Sequence, residues 1–288
     1  MEFRKITIDE LYYVPAICLD PSVNPKQREA MKKHMENRLK WLEKMVPQGL
    51  GVIVALENPK SETLHYPWAG NIRHADLAVK GKVPKGLIEY LPVETALEPV
   101  KGENSLFINC IWILPPFWKT GVAKGLMRQF IEEARELGGA TVLAYEGDKW
   151  FGAFDYMPAS FFRKFGFQEV SRDETRVLLH LDLGARESPM LVPPKKRMIG
   201  EKGKMVMDVF CNTQCPWSGW MVDKIKRNIR KYSGVTLNVI NTDRRDAIEQ
   251  FGVARGVFIN GEPVIKRMAS WKEIKSALNK FTSRNVHS

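Results

Sequence analysis

The chain has 288 residues, 44% of them hydrophobic, and carries 44 Lys and Arg against 33 Asp and Glu, a net charge of +11. That length suits two domains of ordinary size, and the apolar content is enough for a packed core, which excludes a disordered chain. No apolar run is long enough to cross a bilayer, and the charged opening MEFRKITIDE has no signal-peptide core, so the protein is expected to be soluble and cytoplasmic.

The first elements in chain order form an alternating α/β pattern. FRKITI reads as a strand, and residues 25–46 as an amphipathic helix with Met31, Met35, Leu39, Leu42 and Met45 on one face. That methionine stripe reads as core rather than as a ligand box. LGVIVALE, GLIEYLPVE and LFINCIWIL follow as strands. Pro115 and Pro116 then stop the third of these, because proline cannot donate to a strand ladder. Gly121 permits close backbone approach where the next helix, Gly121 to Leu137, begins. The free N–H groups and positive dipole end of such a helix suit a phosphate, although an ordinary strand-to-helix turn would look the same. The helix is expected to bury Val122, Leu126, Phe130, Ile131 and Ala134, and Gly138-Gly139 ends it.

TVLAY is the next strand, followed by the aromatic loop EGDKWFGAFDYM, a short helix SFFRKF opened by Pro158 and closed by Gly166, and a hairpin of FQEV with TRVLLHLDL. Residues 184–204, rich in Pro, Gly, Lys and Arg, read as a linker between a domain at 1–183 and a second at 205–288. The second part runs β-α-β-α-β-β-α: MVMDVF, a helix at 218–232 with Met221, Ile225 and Ile229 on one side, VTLNVI, DAIEQFG, a hairpin across Asn260-Gly261, and SWKEIKSALNKF.

The four cysteines (18, 110, 211, 215) are too few for a disulfide framework, no pair of CxxC motifs exists, and the five histidines are isolated, so no metal site is expected. Three readings of the basic charge stand side by side: nucleic-acid binding, a groove for an anionic cofactor, and a solvated surface. The charges alternate with apolar positions along helices and no nucleic-acid motif accompanies them, which counts against the first.

Residues 106–126 resemble the cofactor motif of the GNAT-superfamily N-acetyltransferases, in which a strand ending in V-h-P leads into (Q/R)-x-x-G-x-(G/A) and a helix. Ile113-Leu114-Pro115 takes the strand end and Trp118-Lys119-Thr120-Gly121-Val122-Ala123 the phosphate loop, with Lys124 beside it; FFRKFGF resembles a second segment of the family. The resemblance spans roughly residues 1–183. It implies a mixed, splayed sheet and acetyl transfer from acetyl-CoA, as cosubstrate, to an amine by direct attack on the thioester. It implies further that the loop amides hold the pyrophosphate, and that backbone N–H groups near Ile111 and Ile113 polarise the thioester carbonyl. The sequence does not name the amine.

Two departures from the family matter. Trp118 replaces the usual Arg or Gln but keeps its backbone N–H, and Phe162 stands where the family often has a proton-donating Tyr. Glu89 is the first candidate base, against a reading as an ordinary strand carboxylate; Tyr145 and Glu146 are second. Cys110 reads as a structural thiol. Trp150, Phe151, Phe154 and Tyr156 either border the acceptor site or pack under their loop. Phe162 also motivates an alternative in which the protein holds CoA as a sensor and hardly turns it over.

VFCNTQCPWSGW resembles a thioredoxin-like active-site turn, and the fusion resembles GNAT proteins with a YoaP-like tail. In that reading Cys215 opens a helix whose dipole lowers its pKa, Ser218 replaces the second cysteine, and Cys211 is a candidate disulfide partner. Arg255 or Gly256 sits where the family's cis-proline would be. A thiol-redox role through Cys215 is the remaining alternative.

Overall fold

A computed structural model describes the chain except residues 67–68, 151–154, 185–186, 198–204 and 286–288, and except the side chains of 282–285. Phe151 and Phe154 of the aromatic loop therefore lie outside the described residues. The chain opens with strand β1 (Glu2–Lys5) and a six-residue helix α1 (Tyr13–Cys18), which is not among the elements expected from the sequence. Helix α2 (Pro25–Met45) begins at Asn24, whose side chain accepts the Gln27 N–H, with Pro25 at the first helical position. Its buried face holds Met31, Met35, Leu42 and Met45 as expected, but also Arg38 and Trp41, while Leu39 is only partly buried.

Strands β2 (Gly51–Glu57), a small hairpin of β3 (Thr63–Tyr66) and β4 (Gly70–Arg73), β5 (Val83–Pro92), the two-residue β6 (Val100–Lys101) and β7 (Leu106–Ile113) follow. Next come α3 (Val122–Arg135), β8 (Gly139–Tyr145), α4 (Ala159–Arg163), β9 (Gln168–Asp173) and β10 (Arg176–Asp182). Seven of these strands form one mixed sheet in the order β1-β2-β5-β7-β8-β10-β9. Only β7 and β8 are parallel, joined by α3 as the crossover. Helix α3 buries Val122, Leu126, Phe130 and Ala134 as its spacing predicts, with Met127 added and Ile131 only partly buried.

Strand β11 (Met190–Leu191) pairs with β6, so the start of the joining stretch lies on the first sheet unit. A second sheet domain contains β12 (Met205–Cys211), α5 (Pro216–Ile229), β13 (Val235–Asn241), α6 (Arg245–Phe251), β14 (Gly256–Ile259), β15 (Glu262–Ile265) and α7 (Trp271–Asn285). Its strand order is β13-β12-β14-β15, with β12 and β13 parallel and the other neighbours antiparallel.

One hydrophobic core runs through both units, from Leu87 and Phe130 to Met221 and Ile274. Polar contacts bind them as well. Asp223 on α5 meets His34 and Lys33 on α2, each at 2.8 Å. Arg245 donates to the carbonyls of Ala96 and Val100 at 2.7 and 2.6 Å. Lys266 pairs with Asp173 at 2.7 Å, and Arg267 with Asp148 at 2.6 Å. No helix among the described residues is long and apolar enough to cross a membrane.

Candidate active site

The site begins where the central sheet parts. Strands β7 and β8 pair only at Leu106↔Ala140, Phe107↔Thr141 and Ile108↔Val142. Beyond Ile108 a wedge opens between them. The register between β5 and β7 slips there too: Glu89 faces Cys110 but Tyr90 faces Ile108, leaving Asn109 as the extra residue of a bulge. The Leu114 N–H donates to Lys85 on β5 at 2.9 Å. Backbone groups alternate sides along a strand, so the N–H groups of Ile111 and Ile113 point the other way, toward the wedge. The indole N–H of Trp118 donates to the Ile113 carbonyl at 2.8 Å, on that same side.

The loop below the wedge is a 3-10 turn, Pro115–Phe117, followed by two left-handed residues, Lys119 (φ 63°) and Gly121 (φ 88°). A Cβ at Gly121 would meet nothing within 4 Å, so glycine serves the backbone conformation there and leaves open space above the helix start. The first hydrogen bond at the head of α3 is Gly125 N–H to the Gly121 carbonyl, 3.0 Å. The N–H groups of Val122, Ala123 and Lys124 therefore have no intrahelical partner. The Trp118 and Thr120 amides differ from expectation. They donate to Pro115 and Phe117 at 3.2 and 3.4 Å, so the tight turn has already used them.

A cavity of about 320 Å³ extends from Trp118 along the wedge to the second sheet domain. Asp20, Arg38, Asn109, Cys110, Trp112, Trp150 and Tyr156 line it from the first unit, and Gln214, Cys215, Trp217 and Arg255 from the second. Among the described residues, four buried polar atoms on its walls have no hydrogen-bond partner: Arg38 Nε, Asn109 Oδ1, Trp150 Nε1 and Gln214 Oε1. Arg38 also donates to the Gln214 carbonyl, which ties α2 to the turn before α5.

The sequence-derived candidates fall in different places. Glu89 is fully buried, with one oxygen 2.7 Å from Arg38 and the other 3.3 Å from the Asn109 amide. Tyr145 lies at the end of β8, edge-on to Trp150 at 5.5 Å, and burial pushes its phenol up to about 12. Glu146 points away, into surface pairs with Arg163 and Arg172 that hold its carboxyl below the usual range. Phe162 is fully buried among Phe161 and Phe167 and does not line the cavity. Tyr156 does line it, donating to the Cys110 sulfur at 3.1 Å and packing on Trp150 at 4.1 Å. Burial raises the Tyr156 phenol well above its ordinary value.

Cys215 caps α5 as expected, but its thiol moves opposite to the helix-dipole argument. Burial pushes it up to about 11, outweighing Arg38 and the Trp217 N–H, which act the other way. Cys211 also rises to about 11 through burial, with Asp243 adding to it. Both thiols are free, and Cys18 and Cys110, rather than Cys211, share the cavity wall with Cys215. Arg255 reaches across to Glu98, to Asn212, and over the Trp150 ring at 5.9 Å.

The histidines are less isolated than the sequence suggested. Among the described residues, Glu57, Glu62 and His74 stand close enough to share a cation. Lys85 and Lys60 already pair with Glu57, and the Lys60 N–H donates to His74, so the group is neutralised by its own lysines.

Residues 38–167 match the acetyltransferase (GNAT) family model. The chain carries a GNAT acetyltransferase domain. Acetyl-CoA-dependent N-acetyl transfer is the chemistry of such a domain. The chain is also similar to the uncharacterized N-acetyltransferase YoaP of Bacillus subtilis (strain 168), at 26% identity over 207 residues, covering 68% of this chain and 78% of that one. Among solved structures, the chain is similar to PaiA N-acetyltransferase of Thermoplasma acidophilum in complex with coenzyme A. That alignment has a TM-score of 0.40 and 11% identity, and covers 63% of this chain and 98% of the other. Aminoglycoside 6'-acetyltransferase type Ii aligns with a TM-score of 0.40 and 9% identity, over 65% of this chain and all of that one (100%).

Proposed function

We propose that the wedge and the loop below it bind acetyl-CoA and deliver its acetyl group to an amine in the cavity. The observation that carries this is the parting of β7 and β8 after Ile108↔Val142, directly above the left-handed Gly121 and the open head of α3. The pyrophosphate sits on the amides of Lys119, Gly121, Val122, Ala123 and Lys124, where the helix dipole favours its charge. The thioester carbonyl takes the N–H of Ile111 or Ile113, which stabilises negative charge as it develops on oxygen.

The amine nitrogen then attacks the carbonyl carbon. The ammonium must first lose one proton to solvent; then a C–N bond forms, the C–S bond breaks, the nitrogen gives up a second proton as the sulfur gains one, and the products are an amide and CoA thiol. Positioning of the two reactants supplies much of the acceleration. Both oxygens of Glu89 are engaged by Arg38 and Asn109, so its place is to hold Arg38 rather than to take the proton. Tyr156 is the phenol in reach of the wedge. It keeps its proton at neutral pH and can return one to the departing sulfur, the work that Phe162 cannot do. Release of free thiol from acetyl-CoA in the presence of an amine measures the reaction. Tyr156→Phe should lower kcat by about 100-fold, the lower range for a lost general acid. An unchanged kcat would move that role elsewhere.

We further propose the division into 1–183, 184–204 and 205–288, with the last part thioredoxin-like. The strand order β13-β12-β14-β15 and the placement of Cys215 at the head of α5 support that reading. Burial of Cys215 favours a wall of the cavity over a redox centre, since the thiolate is the reactive form.

A further inference from the structure

We propose that the acceptor is a small aromatic primary amine without a carboxylate, bound in the cavity between the two sheet units with its ammonium on Asp20. This rests on the acetyl-transfer reading above and narrows its substrate class. The cavity holds about 320 Å³, the size of a small-molecule site rather than of a groove for a folded partner. Its broad surfaces are the rings of Trp112, Trp118, Trp150 and Trp217, which suit a flat apolar body and are attractive to a cation.

Charge decides the class. The charged residues on the wall are Asp20, Arg38, Asp155 and Arg255. Arg38 is paired with Glu89, Arg255 with Glu98, and Asp155 with Lys149 at 2.7 Å. Asp20 alone has no ion pair among the described residues. It is 3% exposed, and one of its oxygens accepts from the backbone N–H of Ser22, at 2.7 Å, and from its hydroxyl. Arg28 bonds the backbone carbonyls of Asp20 and Val23, not the carboxylate. A buried carboxylate without a counter-ion is costly, and a single ammonium compensates it. The unpartnered Asn109 Oδ1 and Gln214 Oε1 add two neutral acceptors for N–H groups. A carboxylate on the ligand would find the charge of both guanidiniums on the wall already matched, by Glu89 and Glu98, with only the Arg38 Nε N–H left over. A polyamine would bring more positive charge than one Asp20 answers.

The test titrates the full chain calorimetrically with tryptamine and with tryptophan, which differ by that carboxylate. Tryptamine is expected to bind at least tenfold more tightly, and Asp20→Asn, which preserves the Ser22 contact, to weaken tryptamine at least tenfold. Acetyl-CoA affinity should be unchanged in the same variant. Independently of any variant, tryptamine should protect Cys18, Cys110 and Cys215 from iodoacetamide and leave Cys211 as it was, because only the first three line the cavity. Equal binding of the two ligands, unaltered tryptamine affinity in Asp20→Asn, or no protection of the three thiols would each overturn the proposal. Tryptamine binding with the predicted protection, but without acetyl-CoA binding, would uphold the amine site and reject the acetyl-transfer reading.

Discussion

Burial, more than local charge, sets the behaviour of individual side chains at this site. The thiol of Cys215 is a clear instance: its sequence position at a helix head argues for a lowered pKa, yet the first unit covers it and raises it to about 11. Alkylation by iodoacetamide should therefore climb only as pH rises toward that value, well above the ~8.5 of a free thiol. Peptide mass spectrometry across pH reads this directly, and a midpoint at or below the free-thiol value would contradict the burial. Arg38 shows the same principle from the other side. Its helical position within a run of charges suggests solvent, but Glu89, from a strand far along the chain, draws it inside at 2.7 Å. Removing one partner would leave the other charge buried alone, a loss of about 3–5 kcal/mol for such pairs. Asp20 and Gln214 matter because of what stands opposite them in space. No local pattern in the sequence marks either one.

At the scale of elements, periodicity and punctuation foretold most of what formed. Prolines 115 and 116 ended β7, α2 formed at Pro25–Met45 within the expected 25–46, and Asn260-Gly261 turned the last hairpin. What escaped was short or depended on distant partners: α1, the β3–β4 hairpin, and the two-residue pairing of β6 with β11. Helix α3 illustrates a glycine whose reason is packing. A Cβ at Gly125 would come within 2.0 Å of the Phe3 ring on β1. Helix propensity alone favours Ala there by about 1 kcal/mol, but the forced shift of Phe3 reverses the sign. Gly125→Ala should lower unfolding stability by about 1–3 kcal/mol, as measured in a urea titration; a gain in stability would show that the ring yields without cost.

The whole molecule places the two sheet units so closely that neither contains the cavity by itself. That is why the phosphate loop, a contiguous stretch, was legible in the sequence while the cavity was not. Its residues come from positions 20, 38, 109, 150, 214 and 255, which meet only after both units fold and dock. Gly219 on α5 packs closely against α2, where an added Cβ would meet the His34 ring at 2.2 Å. Gly219→Leu should push α5 from α2, open the cavity, and speed alkylation of Cys215 at pH 8 while Cys211 changes little. An unaltered Cys215 rate would mean that the docking tolerates the bulk.

The account's central claim is that acetyl-CoA lies on the amides at the head of α3, and one calorimetric comparison tests it most directly. Acetyl-CoA is titrated into the full chain and into Gly121→Glu, in which a carboxylate occupies the open space above the helix start and strains a backbone at φ 88°. The account predicts binding to the unaltered chain and at least about tenfold weaker binding to the variant, a difference of about 1.4 kcal/mol or more. No heat of binding to the unaltered chain at millimolar acetyl-CoA, or equal affinity in the two proteins, would contradict it.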